Sequence, residues 1–178
     1  DVIARTEPVN GTHDCEPNYF PIIEFKDPDF PWRYSLNSPD KDRLFPWIVL
    51  LVLPRDAFEV KRFALNEKQQ GMKLVINKSG TDQLPALNQL WAWAHVHLSG
   101  DVKSDDETSL LNSFVQKPEL DCSRILCPRK LDPLTLYSAF LVPSYEIGRL
   151  AGLGIPLDQI KKSTNPPDKP WQSEVGLE

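Results

Sequence analysis

The sequence predicts a mixed α/β or α+β fold, with a mixed sheet of about five or six short strands, about two to four short helices and a long proline-rich N-terminal arm. One observation is the unbroken apolar run from Trp47 to Leu53, which is typical of a strand buried on both faces. Another is the alternation of apolar and polar residues from Trp93 to Leu98, which is typical of a half-exposed strand. The third is the presence of 17 prolines in 178 residues, about twice the usual share.

Residues 1–44 are predicted to form the extended arm. Proline fixes its own φ angle and pushes the preceding residue toward an extended conformation, so no helix is expected there. The prolines of this stretch are Pro8, Pro17, Pro21, Pro28, Pro31 and Pro39. Disordered tails contain few aromatic residues, whereas this stretch contains many. The arm is therefore expected to lie ordered, either on its own core or on a neighbouring subunit.

A mixed α/β core domain is predicted for residues 45–155, because strand and helix patterns both occur along it. The predicted strands are short apolar or alternating segments that end at proline, glycine or polar residues. They lie at residues 46–53, 58–65, 73–77, 93–98, 123–126 and 134–142. Residues 156–178 are predicted to be an irregular tail, or a linker to a missing C-terminal part.

Short helices are predicted between the strands. The first has Thr81 or Asp82 as its N-cap and Pro85 in its first turn. Its apolar side follows helical spacings of three and four. The residues of that side are Leu84, Leu87, Leu90 and Trp91. Two shorter helices are predicted at residues 109–116, after an acidic loop, and at residues 145–150.

Charge and hydropathy argue against two classes of function. The net charge is −5, whereas a nucleic-acid binder needs a concentrated positive face. No stretch reaches the ~18 to 20 apolar residues that span a bilayer. The odd count of three cysteines argues against a disulfide framework and predicts a reducing, cytoplasmic setting. The chain begins at Asp1 and ends after a linker-like segment, so we expect both ends to be cut from a longer polypeptide.

One alternative interpretation is a metal- or thiol-dependent enzyme. His95 and His97 alternate on a predicted strand and therefore share a face, and Cys122 and Cys127 add two thiols. Imidazole and thiolate groups are the ligands that zinc favours. The Cys-x4-Cys spacing is looser than that of a zinc knuckle, however, and no nucleophile elbow or oxyanion loop accompanies the thiols. The favoured interpretation is that all four side chains are structural, with no metal, no cofactor and no catalytic residue.

Protein–protein contact is the function that the unusual residues favour. Tryptophan, tyrosine and arginine are enriched at interface hot spots. The predicted interface residues all lie on the arm and are Tyr19, Phe20, Phe30, Trp32, Arg33 and Tyr34. Trp47 and Trp91 are predicted to pack in the core. A further alternative is a carbohydrate-binding module, which would need several tryptophans coplanar on one exposed surface.

Several segments together carry a family resemblance. They include Pro-Asp-Phe-Pro-Trp-Arg-Tyr at residues 28–34 and Ser-Arg-Ile-Leu-Cys-Pro-Arg-Lys-Leu at residues 123–131. The others lie at residues 18–21, 24–25, 44–53, 90–96, 139–143 and 148–154. With these segments the chain resembles, over nearly its whole length, a family of large, poorly characterised bacterial proteins. Those proteins accompany contractile injection systems, the phage-tail-like machines of bacteria.

The resemblance implies a role in assembly. It implies that this block is the N-terminal part of a much longer polypeptide, and that it is a structural part of the particle, at its cap or baseplate. It carries over no catalytic residue. The expected partners are other subunits of the particle, and the expected location is the cytoplasm, in association with that particle.

Overall fold

The structure is a computed structural model that describes residues 2–35, 43–66, 69–98 and 121–152. Two compact units divide the chain. The first consists of Asp1–Pro46 and Asn88–Pro133, and the second of Trp47–Leu87 and Leu134–Glu178. Each unit therefore combines two separate stretches of sequence.

Short antiparallel strands dominate the described residues, which confirms the predicted mixed α+β class. The eight strands are β1 (Ile3–Glu7), β2 (Ile22–Phe25), β3 (Ile48–Pro54), β4 (Phe58–Asn66), β5 (Gln69–Ile76), β6 (Ala94–His97), β7 (Cys122–Leu126) and β8 (Tyr137–Pro143). The helices are α1 (Lys78–Thr81), α2 (Glu146–Gly152) and two 3-10 helices, Phe30–Trp32 and Leu87–Trp93.

The first unit contains a four-stranded antiparallel sheet in the order β1-β2-β7-β6. Its apolar face consists of Ile23, Phe25, Ala94 and Ile125, all buried. Because side chains alternate between the faces of a strand, the residues between these positions lie on the opposite face. Buried Ser123 also lies on the apolar face, where its hydroxyl donates a 2.7 Å hydrogen bond to the Asp27 carbonyl. That bond satisfies a polar group that would otherwise be costly to bury.

The long arm expected for residues 1–44 is not seen. Two of the four strands of the sheet, β1 and β2, come from this stretch. Residues 30–32 also form a 3-10 helix where no helix was expected, and Pro31 at its second position needs no hydrogen-bond partner for its nitrogen. Prolines therefore separate the elements of this stretch without preventing them. The arm prediction was wrong because it gave proline content more weight than the apolar residues Ile22, Ile23 and Phe25.

The second unit is organised around β3, whose residues Ile48 to Leu53 are all buried. This confirms the prediction of a strand buried on both faces. β3 pairs with β8 over its whole length without a register shift, from Ile48 opposite Pro143 to Pro54 opposite Tyr137. The Phe140 ring of β8 meets the Phe58 ring edge to face, with 4.7 Å between the ring centroids. Aromatic pairs of this geometry add to the stabilisation from buried area.

β4 and β5 form a two-stranded antiparallel ribbon, with Phe58 opposite Ile76 at its base. Both strands were predicted, although β5 begins before the expected residue 73. α1 follows β5, and its N-cap is Asn77, whose side-chain oxygen accepts a 3.0 Å hydrogen bond from the Gly80 N–H.

The prediction of a helix capped by Thr81 or Asp82 was wrong, because α1 already ends at Thr81 and the next helix begins at Leu87. Three of the four residues of the predicted apolar side, Leu87, Leu90 and Trp91, lie on that 3-10 helix, Leu87–Trp93.

The later predictions are confirmed in part. β6, β7 and β8 correspond to the strands predicted at residues 93–98, 123–126 and 134–142. α2 corresponds to the helix predicted at residues 145–150. The acidic loop, the helix at residues 109–116 and the tail at residues 156–178 lie outside the described residues.

Candidate interaction surface

The predicted interface residues divide into a packed group and an exposed group. Phe30 belongs to the packed group, because its ring centroid lies 4.6 Å from that of Phe25, which is fully buried. Trp32 is half-buried, and its backbone N–H donates a 2.9 Å hydrogen bond to the Asp29 carbonyl. Phe30 therefore attaches the 3-10 helix to the sheet of the first unit, and the Trp32 backbone bond closes the turn.

Arg33 fixes the same turn by bridging two carboxylates. Its Nη2 lies 2.7 Å from Asp29 Oδ1 and 3.1 Å from Asp27 Oδ2, and its Nε donates a 3.2 Å hydrogen bond to Asp29 Oδ2. The guanidinium also lies over the Phe30 ring, 5.6 Å from its centroid. The hydrogen bond from Arg33 lowers the pKa of Asp29 below its ordinary value. Two-point contact of this kind restricts the long arginine side chain.

Tyr34 and Tyr19 form the exposed group. Tyr34 follows the turn fixed by Arg33 and is 64% exposed. Tyr19 is 76% exposed and lies on the loop between β1 and β2. Backbone hydrogen bonds anchor this loop on both sides of Tyr19: the Leu131 N–H donates to the Pro17 carbonyl at 3.2 Å, and the Cys127 N–H donates to the Pro21 carbonyl at 2.9 Å.

Phe20 is intermediate between the two groups. It is exposed in part, but the edge of its ring meets Trp93, with 6.3 Å between the ring centroids. The arrangement therefore presents two large amphipathic rings, those of Tyr19 and Tyr34, from backbone that the sheet holds in place.

A row of charged residues crosses the other face of the four-stranded sheet. Arg5, Glu24, Arg124 and His95 are direct cross-strand neighbours on β1, β2, β7 and β6. Arg5 donates from both Nε and Nη2 to the Glu24 carboxylate, and Arg124 Nη2 lies 2.6 Å from Glu24 Oε1. Glu24 is only 7% exposed, although it lies on the charged face.

The two arginines keep Glu24 ionised. The hydrogen bond from Arg5 lowers the pKa of Glu24, and the nearby positive charges of Arg124 and Arg5 lower it further against the opposing effect of burial. Charge-assisted hydrogen bonds from two sides satisfy a carboxylate that would be costly to bury alone.

Sequence reasoning did not find this row. The neighbours in it are joined by strand register, and its central pair, Glu24 and Arg124, is 100 positions apart in the sequence, a separation that no local spacing signals.

The four candidate metal or thiol residues do not converge. His95 and His97 are exposed on β6, and His97 lies opposite Cys122, so these three share the charged face. Cys127 is buried and continues the buried phase of β7, on the apolar face. His95 Nε2 lies 2.9 Å from the Ala92 carbonyl oxygen, within its own turn. Within the described ranges, no group of three or more histidine, cysteine or acidic residues has an arrangement that could hold a metal ion.

The tryptophans that the structure describes are less buried than the sequence suggested. Trp91 is exposed, so its assignment to the core was wrong, and the Arg43 guanidinium lies over its ring at 4.4 Å. Trp91 leaves the core because it lies on a 3-10 helix, whose three-residue period leaves Leu90, not its neighbour, buried. Trp32, Trp47 and Trp93 are each half-buried.

Comparison with protein-family models, with curated proteins and with solved structures gave no match for this chain. In the part of the chain that the structure describes, no helix is long and apolar enough to cross a membrane.

Proposed function

We propose that this chain is a structural subunit of a multi-protein particle and that it acts through protein–protein contacts. The observation that carries the proposal is the presentation of Tyr19 and Tyr34 on anchored backbone. Both rings are mostly exposed, yet Tyr34 is four residues from Phe30, which packs on Phe25 of the sheet, and Tyr19 lies between two carbonyls that accept backbone hydrogen bonds from residues 127 and 131.

Exposed tyrosines on fixed backbone suit a contact surface for an energetic reason. A tyrosine ring contributes a large, partly polar contact area while immobilising few rotatable bonds, so binding costs little side-chain entropy. A backbone that is already ordered adds no further ordering cost on association. The Arg33 bridge to Asp27 and Asp29 supplies that order next to Tyr34.

The family resemblance supports a specific particle for this role. On that basis the particle is a contractile injection system, a phage-tail-like assembly, and the chain belongs to its cap or baseplate. The partners are then other subunits of the particle, in the cytoplasm where the particle is built.

Incorporation into the particle tests the proposal. Particles purified from cells that carry Tyr19→Ala and Tyr34→Ala together should contain at least about tenfold less of this subunit, because truncating interface anchors typically costs 2 kcal/mol or more. The matched control is Leu136→Ala, which removes an exposed apolar side chain from the second unit. The melting temperatures of the purified variants should equal that of the unmodified chain.

Two outcomes would contradict the proposal. One is normal incorporation of the double tyrosine variant. The other is co-purification of the unmodified chain with no particle at all, even from cells in which contractile particles are abundant.

A further inference from the structure

The sheet formed by β3 and β8 in the second unit has one accessible edge. Among the described residues this sheet contains only these two strands. β3 is buried from Ile48 to Leu53, so its own edge is covered. On β8, by contrast, Ala139 is exposed and Leu141 is 36% exposed. β8 is therefore the strand at which a further strand could be added.

Hydrogen bonds at both ends of the β3–β8 pair fix which β8 residues face β3. They run from the Ser144 N–H to the Trp47 carbonyl and from the Arg55 N–H to the Leu136 carbonyl, both at 2.9 Å. Along an antiparallel pair, hydrogen-bonded positions alternate with non-hydrogen-bonded ones. Every second residue of β8 counted from either bond therefore faces β3. Ala139 and Leu141 lie between those residues and direct their N–H and C=O groups away from β3, toward the open edge.

β8 has few of the features that keep edge strands from pairing with other chains. Natural edges are protected by charged side chains, bulges, prolines or short length. β1 has a register shift and the charged residues Arg5 and Glu7, and β6 is 4 residues long and carries two histidines. β8 runs for 7 residues without a register shift, contains no charged residue, and has a proline only at its last position, Pro143. Such an edge favours the addition of a strand from another chain.

A second copy of β8 complements this edge. In an antiparallel pair centred on Phe140, Ala139 of each copy lies opposite Leu141 of the other, so the outward N–H and C=O groups of both residues find partners. On the exposed face the small alanine side chain then lies beside the larger leucine side chain. Two uncharged strands also avoid the repulsion that like charges cause in cross-strand positions.

We propose that two copies of this chain associate through their β8 edges, which pair antiparallel and join two sheets into one. The contact is isologous, because both copies use the same strand and the pairing is symmetric. It goes beyond the proposed function, since Tyr19 and Tyr34 lie in the first unit and β8 lies in the second.

Hydrogen exchange of the purified chain tests this inference at single amides. Dilution from dimer to monomer should speed the exchange of the Ala139 and Leu141 amides at least about tenfold, because they lose their partners in the second copy. The Phe140 and Val142 amides face β3 and should stay protected at every concentration. The sedimentation coefficient should rise with protein concentration over the same range.

Charged substitutions test the register of the pairing. Leu141→Lys and Ala139→Glu should each weaken dimerisation at least about tenfold, because each introduces like charges into the contact. The double variant should dimerise again, since each new glutamate then lies opposite a new lysine of the other copy. The matched control is Val60→Lys, at an apolar strand position of the same unit that is also exposed, and it should leave dimerisation unchanged. Because both β8 positions are exposed, the melting temperatures of the dilute variants should change little.

A chain that stays monomeric at every concentration would overturn the inference, as would a dimer in which the Ala139 and Leu141 amides exchange as fast as in the monomer. Equal weakening by Leu141→Lys and Val60→Lys, or a double variant that stays monomeric, would also overturn it. So would a monomeric chain whose incorporation into particles is lost with Leu141→Lys, because the edge would then bind a different subunit. The tyrosine variants, whose incorporation into particles tests the proposed function, are unaffected by any of these results.

Discussion

β3 in the second unit and β7 in the first differ in how many of their faces are buried. Every residue of β3 from Ile48 to Leu53 is buried, whereas burial alternates along β7 with Ser123 and Ile125 covered and the residues between them half-exposed. The sequences differ as well, since β3 is continuously apolar up to Leu53 whereas β7 contains the polar residues Ser123 and Arg124. A strand that is buried on only one face can carry a charged side chain on the other face, as β7 does with Arg124. A strand covered on both faces has no such position.

The largest expected effects come from neighbouring substitutions in β3. The side chains of Leu50 and Leu51 lie on opposite faces of β3, and both are buried. Replacing either residue by alanine should lower the free energy of unfolding by about 2–5 kcal/mol, because the substitution leaves a cavity among buried side chains. Urea unfolding of the two variants measures the effect. Leu136→Ala, an exposed position, is the control and should change little. A small effect at either β3 position would show that one face of the strand is open.

The corresponding neighbours in β7 should differ from each other. Ile125→Ala should lower the free energy of unfolding by about 2–5 kcal/mol, because Ile125 is buried on the apolar face. Leu126→Ala should cost less, because Leu126 lies on the half-exposed face of the same strand. Urea unfolding again provides the measurement. Equal costs at these two positions would remove the contrast between the two strands.

Glu24→Gln should lower the free energy of unfolding by an intermediate amount, about 1–3 kcal/mol, because it leaves Arg5 and Arg124 facing a neutral group. The pKa of Glu24 is lowered in the folded state, so its stabilisation is complete above its ordinary pKa and is lost as the pH falls through the lowered value. The variant should therefore lose less stability than the unmodified chain between neutral and acidic pH.

Thermal unfolding across that pH range measures the difference. The control is Glu7→Gln, which also removes a carboxylate beside Arg5 but at an exposed position. The same acid response in Glu24→Gln and in the unmodified chain would show that Glu24 does not stabilise the sheet.

The smallest expected effect is that of Asp29→Asn on stability. Asp29 and Arg33 are exposed, and ion pairs in water contribute little. The melting temperature should stay nearly constant, whereas amide hydrogen exchange of residues 33–35 should become faster, because the turn loses its bridge. A melting temperature lowered as much as in Glu24→Gln would mean that this turn stabilises the unit in the way that the charged row does.

Local patterns predicted those elements whose burial follows directly from composition. The run around β3 and the alternation at β6 identified both strands and their faces. α1 was harder to find, since the side chain of its cap, Asn77, also donates a 2.7 Å hydrogen bond to the Asp56 carbonyl, which lies at the same base of the ribbon, just before β4. Propensity alone does not encode that contact.

The first unit was predicted least well, because its sheet joins distant segments. Ile23 and Phe25 lie in a proline-rich stretch of sequence, and their pairing with β7 places both on the buried face of the sheet. The candidate surface was recognised by residue type, yet sequence alone did not separate Phe30, which packs inward, from Tyr34, which points outward. That distinction depends on the direction of the chain after the 3-10 helix.

The strand order of the first unit also determines when its sheet can be completed. β2 pairs with β7, and Phe25 and Cys122 are 97 positions apart in the sequence. At a synthesis rate of about 5–20 residues per second, roughly 5–20 seconds separate the emergence of these two residues from the ribosome. The β4–β5 ribbon needs only adjacent residues and can close within that interval. During ribosomal synthesis β2 therefore remains unpaired with β7 for this interval. A chaperone that binds nascent chains would be most useful at the apolar residues of β2.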